Sequence, residues 1–545
     1  RIAFQKCGVS KPRRSKVELA EFIIVMKSNL TFFATLFSTA LFCQNLPPTI
    51  TNVQVALGAN NKLNISFDLA DAEGDPVTVS FRAAARGGQV FDYNTANATG
   101  DLGAGIAPGA GKSVEWDFTA YATAMPDFRL QLVADDLQPV DIQAIVDQVD
   151  SAMLNGDLTF IQGIRHRTAG AAHLQEVKDL LYFKFLDSHL ETYLQEFLFG
   201  NYGADNIIGR LIGTENESST YIIDGHFDTV NDAPGADDNG SAVAGVLEAL
   251  RVLSPYSFKK SIKFIGFDLE EEGLIGSSKY VQQGILPSET IEGVLNFEMI
   301  GYYSEAPNTQ QFPPGFGIIF PVAYNQVLAD QNRGNFITNI ADGNSATLQA
   351  AYDSAAAHYV PDLRRISIQA PANWQIITPD LARSDHAYFW LGGIPALMLT
   401  DGANYRNPNY HTPNDKIETL DFTFMRRVVQ AAVATLAEIA EIQHATTWWA
   451  DTEFFSPTSE PAACEFSLSP NPVNDFLQVT WENCLPEAAA FSLLDTNGRV
   501  VRQQFFSKIS QENFRRMDLS GLEGGVYFLK IESGGKVWTS RVVKF

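Results

Sequence analysis

Between residues 140 and 446 two hydrophobic periods take turns along the chain. Segments with an apolar stripe at helical spacing (142–153, 171–186, 241–253 and 422–442) alternate with short apolar runs at 221–224, 262–269, 294–297 and 396–399. Nearly continuous apolar runs suit strands buried on both faces. Their alternation with helices predicts an α/β domain on a mostly parallel central sheet. In such sheets ligands gather beyond the carboxyl ends of the strands. Polar residues stand at those ends: His226 follows the first run, Glu270 the second and Glu298 the third.

The residue types at these ends belong to one chemistry. The chain reads Tyr221-Ile-Ile-Asp-Gly-His-Phe-Asp228, then Pro234-Gly-Ala-Asp-Asp-Asn-Gly240, then Glu270-Glu271-Glu272-Gly273. Imidazole and carboxylate groups are the donors of an open hydrolytic zinc site. Two zincs ~3.5–4 Å apart need a bridging carboxylate. One histidine with several carboxylates falls short, so a second histidine has to come from elsewhere. Adjacent glutamates at a strand end diverge, so one can face metal and the other water. A general base must reach its nucleophile within a hydrogen bond. The tight turn at Pro234-Gly235 can set a carboxylate of the Asp237-Asp238 pair between two metals. A Glu-Glu-Glu run alone is ordinarily a solvated patch; directly behind an apolar strand it reads as part of a site.

The flanks are β-like. Residues 47–135 alternate polar and apolar positions between Gly, Asn, Asp and Pro clusters, which predicts a small β-sandwich of immunoglobulin or fibronectin type. Residues 447–463, with Ser456-Pro-Thr-Ser-Glu-Pro461, read as a linker. Residues 464–545 return to strands, with a hairpin-type turn at Asp495-Thr-Asn-Gly498. The four cysteines are Cys7, Cys43, Cys464 and Cys484. None lies in the α/β region, which excludes thiolate zinc sites and a cysteine nucleophile there. Cys464 and Cys484 are either a disulfide or two buried thiols.

The N-terminus carries an export signal. Met26-Lys27 opens a short positive start, and a mostly apolar stretch follows to Phe42. Residues 26–43 read as a secretory signal peptide, and residues 1–25 as an upstream translation artefact. The apolar run is short for a stable membrane span of ~20 residues. The formal net charge of -24 argues against nucleic-acid binding, which needs a basic face, and suits a secreted protein that must stay soluble.

Six motifs in order resemble the zinc exopeptidase family of bacterial leucyl aminopeptidases, glutamate carboxypeptidases and glutaminyl cyclases. They are Gly225-His-Phe-Asp228, Pro234-Gly-Ala-Asp-Asp-Asn-Gly-Ser241, Phe267-Asp-Leu-Glu-Glu-Glu-Gly-Leu-Ile-Gly-Ser277, Asn296-Phe-Glu-Met-Ile-Gly-Tyr302, Ser384-Asp-His386 and Tyr410-His-Thr-Pro-Asn-Asp415. The resemblance implies two zinc ions per chain. His226 and Glu298 would bind the first, Glu271 and His411 the second, and Asp237 both. Glu298 stands where such aminopeptidases often have Asp. Glu270 would be the general base acting on a metal-bridging water. Asp228 would accept the second ring N–H of His226 and fix its tautomer. His386 is expected beside the ligands or the substrate, with an ordinary structural histidine as the alternative.

The implied activity is removal of N-terminal residues from peptides. A metallocarboxypeptidase is an alternative, since Arg383 and Arg406 lie near the motifs and suit a substrate carboxylate. A glutaminyl cyclase of the same fold and a surface binding protein with an inactive peptidase domain are the others. The C-terminal block, with Pro470-Asn-Pro472, Asn497-Gly-Arg499, Gly524-Gly-Val-Tyr527 and a terminal Val-Lys, resembles the sorting domain of Bacteroidetes type IX secretion. Its partner would be that secretion machinery, and its location the cell surface or medium.

Overall fold

The computed structural model describes residues 46–121, 127–452 and, with short gaps, 465–544. Residues 1–25, the expected signal peptide at 26–43, Cys464 and Cys484 lie outside the described residues.

The α/β domain is built on one eight-stranded sheet. Its spatial order is Arg365–Gln369, Ile337–Ala341, Ala396–Thr400, Thr290–Glu298, Asn216–His226, Lys260–Phe267, Tyr202–Leu211 and Glu191–Phe199. The four strands from Ala396–Thr400 to Lys260–Phe267 run parallel. The sheet as a whole is mixed, which corrects the expected mostly parallel arrangement. Glu191–Phe199 and Tyr202–Leu211 form a hairpin, and a hairpin imposes antiparallel pairing. Tyr202–Leu211 also meets Lys260–Phe267 antiparallel, as Ile337–Ala341 meets Ala396–Thr400.

Alternating side chains feed two cores. Ile223 enters a core shared with the helices Ala242–Leu253 and Phe422–Ile439. Its neighbour Ile222 enters the opposite core with Phe267, Tyr280 and Phe389. That is the period of two expected for a strand covered on both faces. Each such fully buried side chain contributes roughly 1.5–3 kcal/mol. The register then sets the site, because His226 pairs with Phe267 and Glu298 with Thr400 at the carboxyl ends.

The helices follow the expected positions with one break. The apolar stripe at 142–153 forms two helices, Ile142–Val146 and Ser151–Ile161. Asp150 ends the continuity by capping the second, accepting from Ala152 N at 2.8 Å. A short polar side chain satisfies free N–H groups better at a cap than in a helix interior.

Seven strands that precede this domain form, with one that follows it, two four-stranded sheets enclosing one core around Trp116, Phe81, Phe128 and Leu132. Residues 447–451 of the expected linker at 447–463 belong to a strand, and 453–463 lie outside the described residues. Ala445–Asp451 is a strand paired antiparallel with Phe128–Asp135, so the exit from the α/β domain completes a sheet of the N-terminal unit. Its Thr-Thr-Trp-Trp run has high strand propensity, and Trp448 packs on that unit's core. Residues 465–544 form a three-stranded and a four-stranded sheet around Trp481, Phe491 and Leu529. The turn at 495–498 lies outside the described residues, and the strands flanking it, Ala488–Leu494 and Val500–Ser507, pair antiparallel. Among the described residues no helix is long and apolar enough to cross a membrane.

Candidate metal centre

The strand ends bring two imidazole–carboxylate groups together. One holds His226, Glu270 and Glu298; the other holds Asp238, Glu271 and His411. His226 Nε2 lies 3.4 Å from Glu298 Oε2, 3.7 Å from Glu270 Oε2 and 3.5 Å from Asp238 Oδ1. His411 Nε2 lies 3.0 Å from Asp238 Oδ2 and 3.3 Å from Glu271 Oε2. Asp238 therefore turns one oxygen to each histidine.

Asp237 does not stand there, contrary to the sequence expectation. Its carboxylate accepts from Gly301 N at 2.9 Å and from Asn407 Nδ2 at 2.7 Å. The loop is aimed by Asp415, whose carboxylate accepts the backbone N–H groups of Asp237 at 2.9 Å and Asp238 at 3.0 Å.

The structure brings Asp228, Glu270, Glu271 and Glu298 close to the two histidines. Asp228 Oδ1 is 3.3 Å from His226 Nδ1. The same carboxylate accepts the N–H groups of Glu270 at 3.0 Å and Glu271 at 3.1 Å, so it also fixes the two glutamates. Glu298 Oε2 accepts from Ser384 Oγ at 2.8 Å and Asn239 Nδ2 at 3.2 Å, which anchors its longer side chain. Three non-glycine residues at these turns adopt left-handed backbone: Leu269 before Glu270, Met299 after Glu298, and His411 itself. Such strain persists where the surroundings over-determine it, and it clusters at functional sites. His386 belongs elsewhere. It is buried, its Nε2 pairs with the Leu381 carbonyl at 2.8 Å, its ring meets Trp390, and burial lowers its pKa to about 4.

The donors fit zinc. His226 Nε2 and Glu271 Oε1 are buried polar atoms without a hydrogen-bond partner, which is costly unless a cation engages them. Two imidazoles with oxygens of Asp238, Glu271 and Glu298 are the N/O set zinc accepts. Burial drives the Glu270 pKa well above the ordinary carboxyl value; the His226 charge opposes the rise and Glu298 adds to it. Glu271 is lifted to about 7, by burial first and then by Asp238. For His411 burial disfavours the charge, but hydrogen bonds to Asp238 and Glu271 prevail and raise its pKa to about 10.

A pocket opens beside the ligands, with Glu298 and Tyr410 in its lining. Val327, Phe336, Ile340, Ile366, Ile368 and Met398 make its walls apolar. Arg383 lines the mouth and donates to Tyr410 Oη and Asn404 Oδ1, both at 2.9 Å. The Tyr410 ring stacks on His411 at 3.8 Å. Arg406 is buried, with Nε on Gln310 and Nη1 on the Phe336 carbonyl.

Known proteins resemble this chain in two segments. Residues 206–436 match the model of peptidase family M28. That match covers less than half of the chain and lies within the α/β domain. Residues 467–544 match a secretion system C-terminal sorting domain. The M28 segment is 32% identical over 227 residues to the uncharacterized protein YfbL of Escherichia coli, covering 39% of this chain and 65% of that protein. It is 27% identical over 253 residues to leucine aminopeptidase 1 of Phaeosphaeria nodorum, covering 44% and 56%. The LapA aminopeptidase of Legionella pneumophila superposes with a TM-score of 0.42 at 23% identity, over 56% of this chain and 78% of that one. The chain thus spans between half and two thirds of the length of the curated relatives it matches.

Proposed function

We propose that this chain is an exported zinc exopeptidase that removes N-terminal residues, with a preference for large apolar side chains. The observation that carries the reading is a pair of histidine–carboxylate groups sharing Asp238, placed beside an apolar pocket that includes Glu298.

In this reading His226, Glu298 and Asp238 would hold one zinc, and Asp238, Glu271 and His411 the other. When bound, such a pair supplies Lewis acidity and lowers the pKa of water. The chain's own residues do the rest. Glu270, a carboxylate whose burial raises its proton affinity, takes the proton of the attacking water and passes it to the leaving amine. Asp228 holds the His226 tautomer and the backbone of Glu270 and Glu271. The apolar walls receive the side chain of the first residue and exclude water around it. The carboxylates at the inner end of the pocket suit a cationic amino terminus.

The carboxypeptidase alternative needs a cation for the substrate carboxylate. Arg406 is buried, with Nε on Gln310 and Nη1 on the Phe336 carbonyl, and Arg383 donates to Tyr410 and Asn404. The sorting domain supports handling by type IX secretion machinery and a location outside the cell, with residues 26–43 as the export signal.

The test is metal analysis of the purified protein, with assays against aminoacyl, carboxyl-terminal and N-terminal glutaminyl peptides before and after chelation. Two zincs and chelator-sensitive release of N-terminal leucine or phenylalanine are expected. One zinc with cyclisation of glutaminyl peptides, or release from the carboxyl end, would replace this reading.

A further inference from the structure

Arg165 lies outside the segment matched by the family, on the chain between the helix Ser151–Ile161 and the helix Ala171–Asp187. It is wholly buried. A buried guanidinium ordinarily faces a carboxylate, yet this one makes five hydrogen bonds and all go to backbone carbonyls. Nε donates to Phe227 at 2.7 Å. Nη1 donates to Ile161 at 2.7 Å and to Gly163 and Pro234 at 3.0 Å. Nη2 donates to Gly235 at 2.8 Å.

Three of those carbonyls, of Phe227, Pro234 and Gly235, belong to the two ends of the loop that carries Asp228 and leads into Asp237 and Asp238; the other two, of Ile161 and Gly163, lie on the segment that carries Arg165 itself. The backbone of Arg165 joins it too: its N–H donates to Thr229 Oγ1 at 2.9 Å, and its carbonyl accepts from Thr229 N at 3.1 Å. Gly235 is shaped for this contact. It adopts φ +57°, and a Cβ there would come within 2.9 Å of Arg165 Nη2 and 2.3 Å of the Asp238 carbonyl. Burial lowers the pKa of Arg165 to about 10, and the carboxylates of Asp415, Asp228 and Asp238 oppose that loss. The side chain remains a cation at neutral pH.

We infer that Arg165 is a positioning residue for the metal centre: its guanidinium ties Phe227 to Pro234-Gly235 and so sets where Asp228 and Asp238 stand. The inference rests on the zinc reading above. Two consequences of Arg165 have opposite sign. Its charge repels a divalent cation, so charge alone predicts tighter zinc when it is removed. Its hydrogen bonds hold the loop, so geometry predicts weaker zinc. The three guanidinium bonds to the loop make geometry prevail, and only a planar fork spans the carbonyls of 227 and 235 together.

The experiment compares wild type, Arg165→Lys, Arg165→Met and, as a control for losing a buried arginine away from the site, Arg210→Met. Zinc affinity is measured by chelator competition on the full chain. The rise in melting temperature on adding zinc is recorded for each protein. Both Arg165 variants are expected to bind zinc 10–100-fold more weakly, the size typical of groups that orient metal ligands, and to show a smaller zinc-induced rise. Arg210→Met is expected to lower the melting temperature with and without zinc alike. Arg165→Lys carries the test should the Met variant not fold. Wild-type zinc affinity in folded Arg165→Lys, or tighter zinc in Arg165→Met, would overturn the inference. Absence of zinc binding by the wild type would instead overturn the zinc reading itself.

Discussion

Asp238 Oδ2 lies 3.0 Å from His411 Nε2, although 173 positions separate the two residues in the chain. The other Asp238 oxygen faces His226. This makes Asp238, and not its neighbour Asp237, the carboxylate common to both histidines.

The pair of aspartates can be told apart by substitution. Asp238→Asn is expected to reduce bound zinc below two per chain and to lower kcat/KM by ~100-fold or more. Asp237→Asn keeps the oxygen that accepts from Gly301 or Asn407 and is expected to retain both zincs. Metal analysis of the two variants checks this, and equal zinc loss in both would contradict it.

Zinc binding is expected to release protons. The His226 pKa is raised well above its ordinary value: burial opposes the charge, but Glu270, Asp228 and Glu298 outweigh it. His411 is raised to about 10. The His411 ring is therefore protonated near pH 7.5 without metal, and zinc requires it neutral, so affinity rises with pH. Calorimetry in buffers of different ionisation heat should show at least about one proton released per chain. A titration with no buffer dependence would contradict the ligand set.

Much of the centre was legible because its strands are continuous apolar runs with a polar residue at each end. His226, Glu270, Glu271 and Glu298 could be placed for that reason. The choice between Asp237 and Asp238 could not. It is made by Asp415, Gly301 and Asn407, all far along the chain. The pocket walls were not legible either. Arg365–Gln369 and Ile337–Ala341 are five-residue strands mixing Arg, Ser, Thr and Asn with isoleucine, too short and too polar to stand out. Arg165 carries no periodic signal, because its partners are backbone carbonyls rather than side chains.

The pocket gives a prediction about substrate choice. Ile366→Phe narrows the apolar space beside Ile340 and Met398. Release of N-terminal leucine or phenylalanine should fall by roughly 10-fold or more in kcat/KM, with alanyl peptides largely spared, the discrimination expected of methylene-sized changes. Equal loss on both substrates would place the side chain elsewhere.

Away from the centre, Asp179 makes stability depend on pH. It is buried on the helix Ala171–Asp187, and burial raises its pKa to about 7 against a partial offset from Gln175. The folded state then binds more protons than the unfolded state between about pH 4 and 7, so stability falls as pH rises through that window. Asp179→Asn is expected to stabilise the protein by roughly 2–4 kcal/mol at pH 8 and not at pH 4. Urea unfolding at the two values checks the sign; a gain of equal size at both would contradict it.

The measurement that bears most directly on the account is the activity of Glu270→Gln alongside its zinc content. The amide preserves the shape of the side chain and cannot accept the proton. The account predicts two zincs per chain and peptide hydrolysis reduced by ~100–10,000-fold, the contribution of a positioned general base. A variant with both zincs and wild-type hydrolysis would contradict it.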